Sequence, residues 1–314
     1  MIEAPDLLAT IVAAARRMVE VRKEQVSEAA LERLAAARRP NGAAFVRALR
    51  EGASPRVIAE CKRRSPLRGI LREDYRPAEH ATAYARAGAA AISVLTEPTF
   101  FDGSLTHLQE VRAAVDIPLL RKDFIVERYQ ILEAVASGAD AVLVIVGAVE
   151  AEALTLLLAD AAAAGVAALV EVHGAVELRI AVDSGATLIG VNSRNLRTLA
   201  VEPDVHDQLA PLMPKGAVTV AESGLRELAD LQRLERAGYD AFLVGERLIA
   251  QPDPGAALRA LRGHAAGKRG PEGSRREATT PTPRQAQGRP EQSRGANAQG
   301  GRGRSGAPPE RRKQ

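Results

Sequence analysis

One pattern recurs between residues 56 and 245: a short run of Val, Ile, Leu and Ala, a polar or glycine-bearing loop, then an Ala/Leu/Glu/Arg-rich stretch with helical spacing. The runs are RVIAE (56–60), AAISVL (90–95), IPLLRK (117–122), AVLVIV (141–146), AALVEV (167–172), TLIGVN (187–192), AVTVAE (217–222) and AFLVG (241–245). Gly88, Gly138, Gly185 and Gly238 stand just before runs, where a residue beyond the helix C-terminus hands the chain to the next strand. Eight β-then-α units in unbroken series predict a (β/α)8 TIM barrel, an α/β fold. An open doubly wound sheet is the rival. It would place G-x-G-x-x-G after its first strand, and KRRSPLRG is not that motif.

Three segments follow from this pattern. Residues 1–50 form an N-terminal helical extension, with apolar spacing at Leu7, Ile11, Ala15, Val19 and Val26 predicting one amphipathic helix from Asp6 to about Ala37. A shorter helix follows from Ala43 to Arg50, and the extension is expected to plug one barrel end or to cover the active face. Residues 51–263 are the barrel and catalytic domain. Residues 264–314 hold 12 Lys or Arg against 4 Asp or Glu, a surplus of +8 inside a whole-chain charge of +4, so residues 1–263 carry −4. That tail is dense in Gly, Pro, Arg and Gln and is expected to be disordered, because it has too little apolar surface to offset its ordering entropy. No aromatic residue interleaves its basic ones, so a solvated extension is expected rather than a specific nucleic-acid arm.

The single cysteine, Cys61, excludes an internal disulfide and a cysteine-based metal cluster, and it suits a reducing cytoplasm. Glu3 and Asp6 precede the first apolar stretch where a secretory signal would carry positive charge. The longest uncharged apolar runs, such as 141–149, fall short of the roughly 18 residues that a membrane helix needs. A cytoplasmic protein with no membrane partner is expected, and a monomer is favoured.

In VIAECKRRSP (57–66), Glu60 and Lys62 stand two residues apart and so share one face of the first strand. Lys122 with Asp123, then Glu171, then Asn192 with Arg194, then Glu222 with Ser223 stand at or near the ends of four further runs. Barrel chemistry gathers at the C-terminal ends of the strands, and only a polar mouth would tolerate such residues at five of them. Ser223 and Gly224 after the seventh strand, and Gly245 after the eighth, lie where backbone N–H groups at helix starts can bind an anion. With Ser65 across the mouth they suggest a substrate carrying phosphate at one end.

The stretches IAECKRRSP, LLRKDFIVERYQI, GVNSRNLRTL, VAESGL and LVGERL resemble the strand-end motifs of the indole-3-glycerol phosphate synthase family. The likeness covers about residues 5–260 in order. It implies ring closure, decarboxylation and dehydration of 1-(o-carboxyphenylamino)-1-deoxyribulose 5-phosphate to indole-3-glycerol phosphate, a carboxy-lyase step of tryptophan biosynthesis, with no metal or organic cofactor. Carried onto this chain, it makes Lys122 the general acid at the C2′ oxygen and Glu171 a general base. Lys62 would bind the anthranilate carboxylate, while Glu60, Asn192 and Glu222 would orient the sugar hydroxyls and the lysines. Arg194, Ser65, Ser223, Gly224 and Gly245 would hold substrate and its phosphate, Glu246 would contribute backbone only, and Phe124 and Leu196 would line the anthranilate ring. A lysine beside other cations is expected to have a lowered pKa. The chain departs from the family pattern at Leu67 and Asn195, beside the proposed contacts, and in its basic tail. Two alternatives are another phosphate-binding barrel, such as phosphoribosylanthranilate isomerase, and a non-catalytic barrel presenting an RNA-binding tail.

Overall fold

The computed structural model describes residues 6–264. Eight parallel strands close on themselves: β1 (Val57–Cys61), β2 (Ala91–Leu95), β3 (Leu119–Lys122), β4 (Ala141–Ile145), β5 (Ala167–Val172), β6 (Leu188–Asn192), β7 (Val218–Glu222) and β8 (Ala241–Val244). Strand β1 pairs with β2 on one side and β8 on the other, so no edge is left open. Helices stand between strands, as the eightfold pattern predicts. Gly88 and Gly138 take φ of +83° and +92°, the left-handed conformation that ends a helix cleanly and that only glycine adopts without strain.

Alternation along each strand divides the interior from the helix layer. On β1, Val57, Ala59 and Cys61 pack outward against the helices, whereas Ile58 belongs to the barrel's inner cluster with Leu120, Leu143, Leu169, Val220 and Leu243. Glu60 is two residues beyond Ile58, so it points into the barrel above that apolar floor. Cys61 is a buried free thiol in the outer layer.

The N-terminal extension is two helices where sequence spacing suggested one. Helix α1 runs Leu7–Gln25 and helix α2 runs Glu28–Ala36, with the break at Ser27, whose hydroxyl accepts from Ala30 N at 3.3 Å as an N-cap. Helix α3 (Gly42–Glu51) closes the floor, its Phe45 and Leu49 fully buried among the inner strand residues. Helix α1 lies elsewhere, with Leu8 and Ile11 packed in the cluster that contains Phe124, Ile145 and Ala148 beyond the upper ends of β3 and β4. The helix that closes the floor is thus not the helix that packs beyond β3 and β4.

An ion-pair cluster docks α1 onto the barrel. Arg121 of β3 is 1% exposed and reaches Asp123 at 2.8 Å and Glu133 at 3.2 Å, while Arg22 of α1 grips Glu133 at 2.6 and 3.1 Å. Breaking such a pair leaves a buried charge uncompensated, which costs about 3–5 kcal/mol. The cluster sits directly behind Lys122. Asp123, which sequence placed among the mouth charges, spends its carboxylate on Arg121 and on the Thr96 hydroxyl at 2.6 Å. The tail boundary falls at the edge of the described residues, and residues 265–314 lie outside them.

Candidate active site

Above the apolar floor a cavity of about 410 Å³ opens at the C-terminal ends of the strands. All fourteen site residues expected from the sequence line it: Glu60, Lys62, Ser65, Lys122, Phe124, Glu171, Asn192, Arg194, Leu196, Glu222, Ser223, Gly224, Gly245 and Glu246.

The centre is a lysine held between carboxylates. Lys122 Nζ lies 3.0 Å from Glu171 Oε2 and 3.3 Å from Glu222 Oε2, and Asn192 Nδ2 donates to Glu171 Oε1 at 3.0 Å. Lys62 Nζ pairs with Glu60 Oε1 at 2.7 Å. Burial alone would lower the Lys122 pKa, but the charges of Glu171, Glu222 and Glu60 together carry it above the ordinary lysine value. That reverses the sequence expectation, because Lys122 has acidic neighbours where cationic ones were anticipated. Burial also pushes the carboxyls up. For Glu171 this is overcome by Lys122, His173 and Asn192, which hold it well below the usual carboxylate range. For Glu222 burial wins: with Glu171 opposite and despite Lys122, its carboxyl rises to about 8. Burial and the facing Glu171 thus push Glu222 up, while Lys122, His173 and Asn192 hold Glu171 down.

Two glycines make room for this arrangement. A Cβ on Gly190 of β6 would fall 2.2 Å from Glu222 Oε1, and one on Gly245 would fall 2.0 Å from Glu60 Oε1. The barrel omits side chains there so that the carboxylates can fold inward.

The two ends of the cavity differ in character. At one end Phe124, Phe101, Leu95, Ile145, Leu196 and Leu199 form an apolar slot, with the two phenyl rings 6.2 Å apart. At the other, Ser223 and Gly224 take consecutive left-handed conformations, φ +64° and +70°, and neither amide donates to a backbone or side-chain acceptor among the described residues. Such a pair forms a concave anion-binding nest. Ser65 sits in a short hairpin, Arg64–Ser65 paired with Gly69–Ile70, whose Leu67 is 60% exposed at the mouth.

Several groups escaped the sequence reading. His173 stands behind Glu171, its Nε2 at 3.3 Å from Oε1 and its Nδ1 at 3.0 Å from Glu177 Oε2. Burial lowers the imidazole pKa, yet the two carboxylates together raise it to about 10. His206 sets its Nε2 3.1 Å from the carbonyls of both Val191 and Glu222, tying the ends of β6 and β7 together. The EVH tripeptide beside Glu171 was the one available signal for His173. Glu246, expected to offer only backbone, aims its side chain at three cations.

A slot for a flat ring, a nest for an anion and a lysine between carboxylates agree with the likeness read from the strand ends, and the comparisons decide it. The family model for indole-3-glycerol phosphate synthase matches residues 8–261. The chain belongs to the indole-3-glycerol phosphate synthase family. Indole-3-glycerol phosphate synthase 2 of Streptomyces coelicolor is 48% identical over 257 residues, covering 82% of this chain and 99% of that one. The synthase of a Nocardioides strain is 54% identical over 207 residues, 66% of this chain and 80% of its own. Among solved structures, a 3-hexulose-6-phosphate synthase shares the fold at a TM-score of 0.51 with 15% identity, over 67% of this chain and 99% of that one. A mandelate oxidase does so at 0.52 with 18% identity, over 67% and 72%. This synthase is accordingly a decarboxylating carbon–carbon lyase of tryptophan biosynthesis that closes the indole ring on a small phosphorylated substrate. Among the described residues no helix is long and apolar enough to cross a membrane.

Proposed function

We propose that Lys122 is the general acid and Glu171 the general base of ring closure. The observation that carries this reading is Lys122 Nζ lying 3.0 Å from an ionised Glu171 and 3.3 Å from Glu222 at the cavity floor. Attack of the ring carbon on C2′ turns the ketone oxygen toward an alkoxide, a base strong enough to take a proton from an ammonium, so Lys122 can serve as the acid although its raised pKa makes it a weaker donor than a free lysine. Once carbon dioxide has left, Lys122, reprotonated by water entering through the open mouth, delivers a second proton to the same oxygen as it departs as water, and Glu171 takes the proton from carbon. Lys62 holds the substrate carboxylate that is to leave. Glu60, Asn192 and Glu222 keep the lysines and the sugar hydroxyls in place, because each is fixed by a pair or lies against a side chain that is. Arg194 lies on the sugar–phosphate side, Ser65, Ser223, Gly224, Gly245 and the Glu246 backbone receive the phosphate, and Phe124 and Leu196 face the ring.

No metal or organic cofactor enters this scheme. Every group in it comes from this chain, so the scheme calls on no residue of a second copy. The lone buried thiol supports a cytoplasmic setting, and nucleic acid has no part in the barrel's chemistry.

The test uses the chain's lack of Trp: with four Tyr and no indole of its own, it offers a weak background against which product emission stands out. Wild type mixed with the carboxyphenylamino-deoxyribulose phosphate should develop indole-like fluorescence. Lys122→Met should lower kcat by about 10² or more, and Glu171→Gln should bind substrate yet release product far more slowly. Near wild-type turnover in Lys122→Met would end the assignment of the acid.

A further inference from the structure

Three cations from two different loops converge on one carboxylate at the phosphate side of the cavity. Lys62 Nζ and Arg68 Nε, both from the segment after β1, lie 3.9 and 3.5 Å from Glu246, and Arg194 NH2, after β6, lies 4.0 Å away. Glu246 itself opens the short turn after β8, beside Gly245. None of the three contacts is a hydrogen bond of normal length, so the carboxylate sits among the cations without being gripped by any of them. Its side chain is 22% exposed and lines the cavity with all three. The other carboxylates of the cavity are differently placed. Glu60 is committed to Lys62 at 2.7 Å, and Glu171 and Glu222 to Lys122. Glu246 is the one standing where an incoming anion would go.

We propose that Glu246 is a tethered counter-ion that occupies the centre of the cation cluster until the substrate's phosphate displaces it, and so determines which anions the cradle accepts. The empty cluster would hold Lys62, Arg68 and Arg194 apart by mutual repulsion; a carboxylate on a short turn keeps them converged, Arg68 and Arg194 toward the phosphate and Lys62, paired with Glu60, toward the carboxylate that is to leave. An anion must then outbid that carboxylate to enter. A phosphate ester anchored at its far end by the aromatic slot and by Lys122 does so through its whole length, whereas free inorganic phosphate has only the cradle. Glu246 thereby biases the cradle against free phosphate. This rests on the reading that the nest end of the cavity receives phosphate.

The experiment is inhibition of turnover by inorganic phosphate at constant ionic strength, in wild type and in Glu246→Gln. The amide keeps the shape and removes the charge. The inhibition constant for phosphate should fall by about tenfold in the variant, the scale of one unit charge a few ångströms away and partly screened by solvent. The KM for substrate should fall less, because slot contacts share its binding. Glu246→Ala should move the constant in the same direction and decides the matter if the amide variant folds poorly. A phosphate constant that is unchanged or higher in these variants overturns the counter-ion role. If phosphate does not inhibit wild type competitively at all, the phosphate reading of that end fails first, and that result is distinguishable because it appears without any mutation.

Discussion

Glu222 is a carboxyl that burial and the facing Glu171 push upward, and it offers a stability measurement independent of catalysis. Its carboxyl rises from 4.5 to about 8 because it is buried and faces Glu171. In the unfolded chain it ionises near 4.5, whereas in the fold it keeps its proton until about 8. Its contribution is therefore fully present below pH 4.5 and is lost as pH climbs through the folded value, so stability declines across pH 5–8. Each pKa unit is 1.36 kcal/mol, which makes the whole decline on the order of 5 kcal/mol at most. His173 slopes the same way at higher pH, since its imidazole is raised from 6.5 to about 10. The comparison of wild type with Glu222→Gln cancels that slope. Gln has the shape of the protonated acid and never ionises, so the variant should be within about 1 kcal/mol of wild type at pH 5 and more stable than wild type by a few kcal/mol at pH 8.5. Urea unfolding at half-unit steps from pH 5 to 9 gives the difference curve. A flat curve, or one showing the variant losing ground as pH rises, would refute a protonated Glu222.

Other tests follow from the same geometry. Gly190→Ala places a methyl 2.2 Å from the Glu222 carboxylate, so it should cost about 1–3 kcal/mol of stability and lower kcat by turning Glu222 away from Lys122; urea midpoints and turnover check it. We propose that the tail is separable from the barrel: a chain ending at Gly263 should keep its melting temperature and kcat/KM nearly unaltered while shedding the +8 surplus, and loss of either would show that residues 264–314 support the barrel.

The barrel and the central charges were legible because both depend on local rules. A strand's twofold alternation puts Ile58, Glu60 and Lys62 on one face whatever surrounds them, and eight such strands at steady intervals leave little choice of fold. What could not be read depends on partners far away in sequence. Arg121 looks like one more cation beside Lys122, and its burial rests on Glu133, itself shared with Arg22 of α1, as well as on nearby Asp123. Glu246 resembles a helix-start acid until the loops after β1 and β6 are folded over it. The break between α1 and α2 was different: Ser27 is a good cap, but apolar spacing continued through it and masked the signal. The raised pKa of Lys122 was missed because Glu60, Glu171 and Glu222 come from three other strands, and their distances to one nitrogen are a property of barrel closure.

The floor built by Phe45 and Leu49 has a bearing on traffic. With the underside of the cavity filled by fully buried hydrocarbon, the site has no back door. Carbon dioxide forms first and water second, and both are small enough to slip past a bound sugar phosphate. On the proposed reading, an indole product held between the slot and the phosphate end would leave last through the same opening by which substrate arrived. The hairpin tipped by Leu67 lines that opening, so whatever arrives or leaves passes beside it. Arrival and departure in such a dead-end chamber share one doorway.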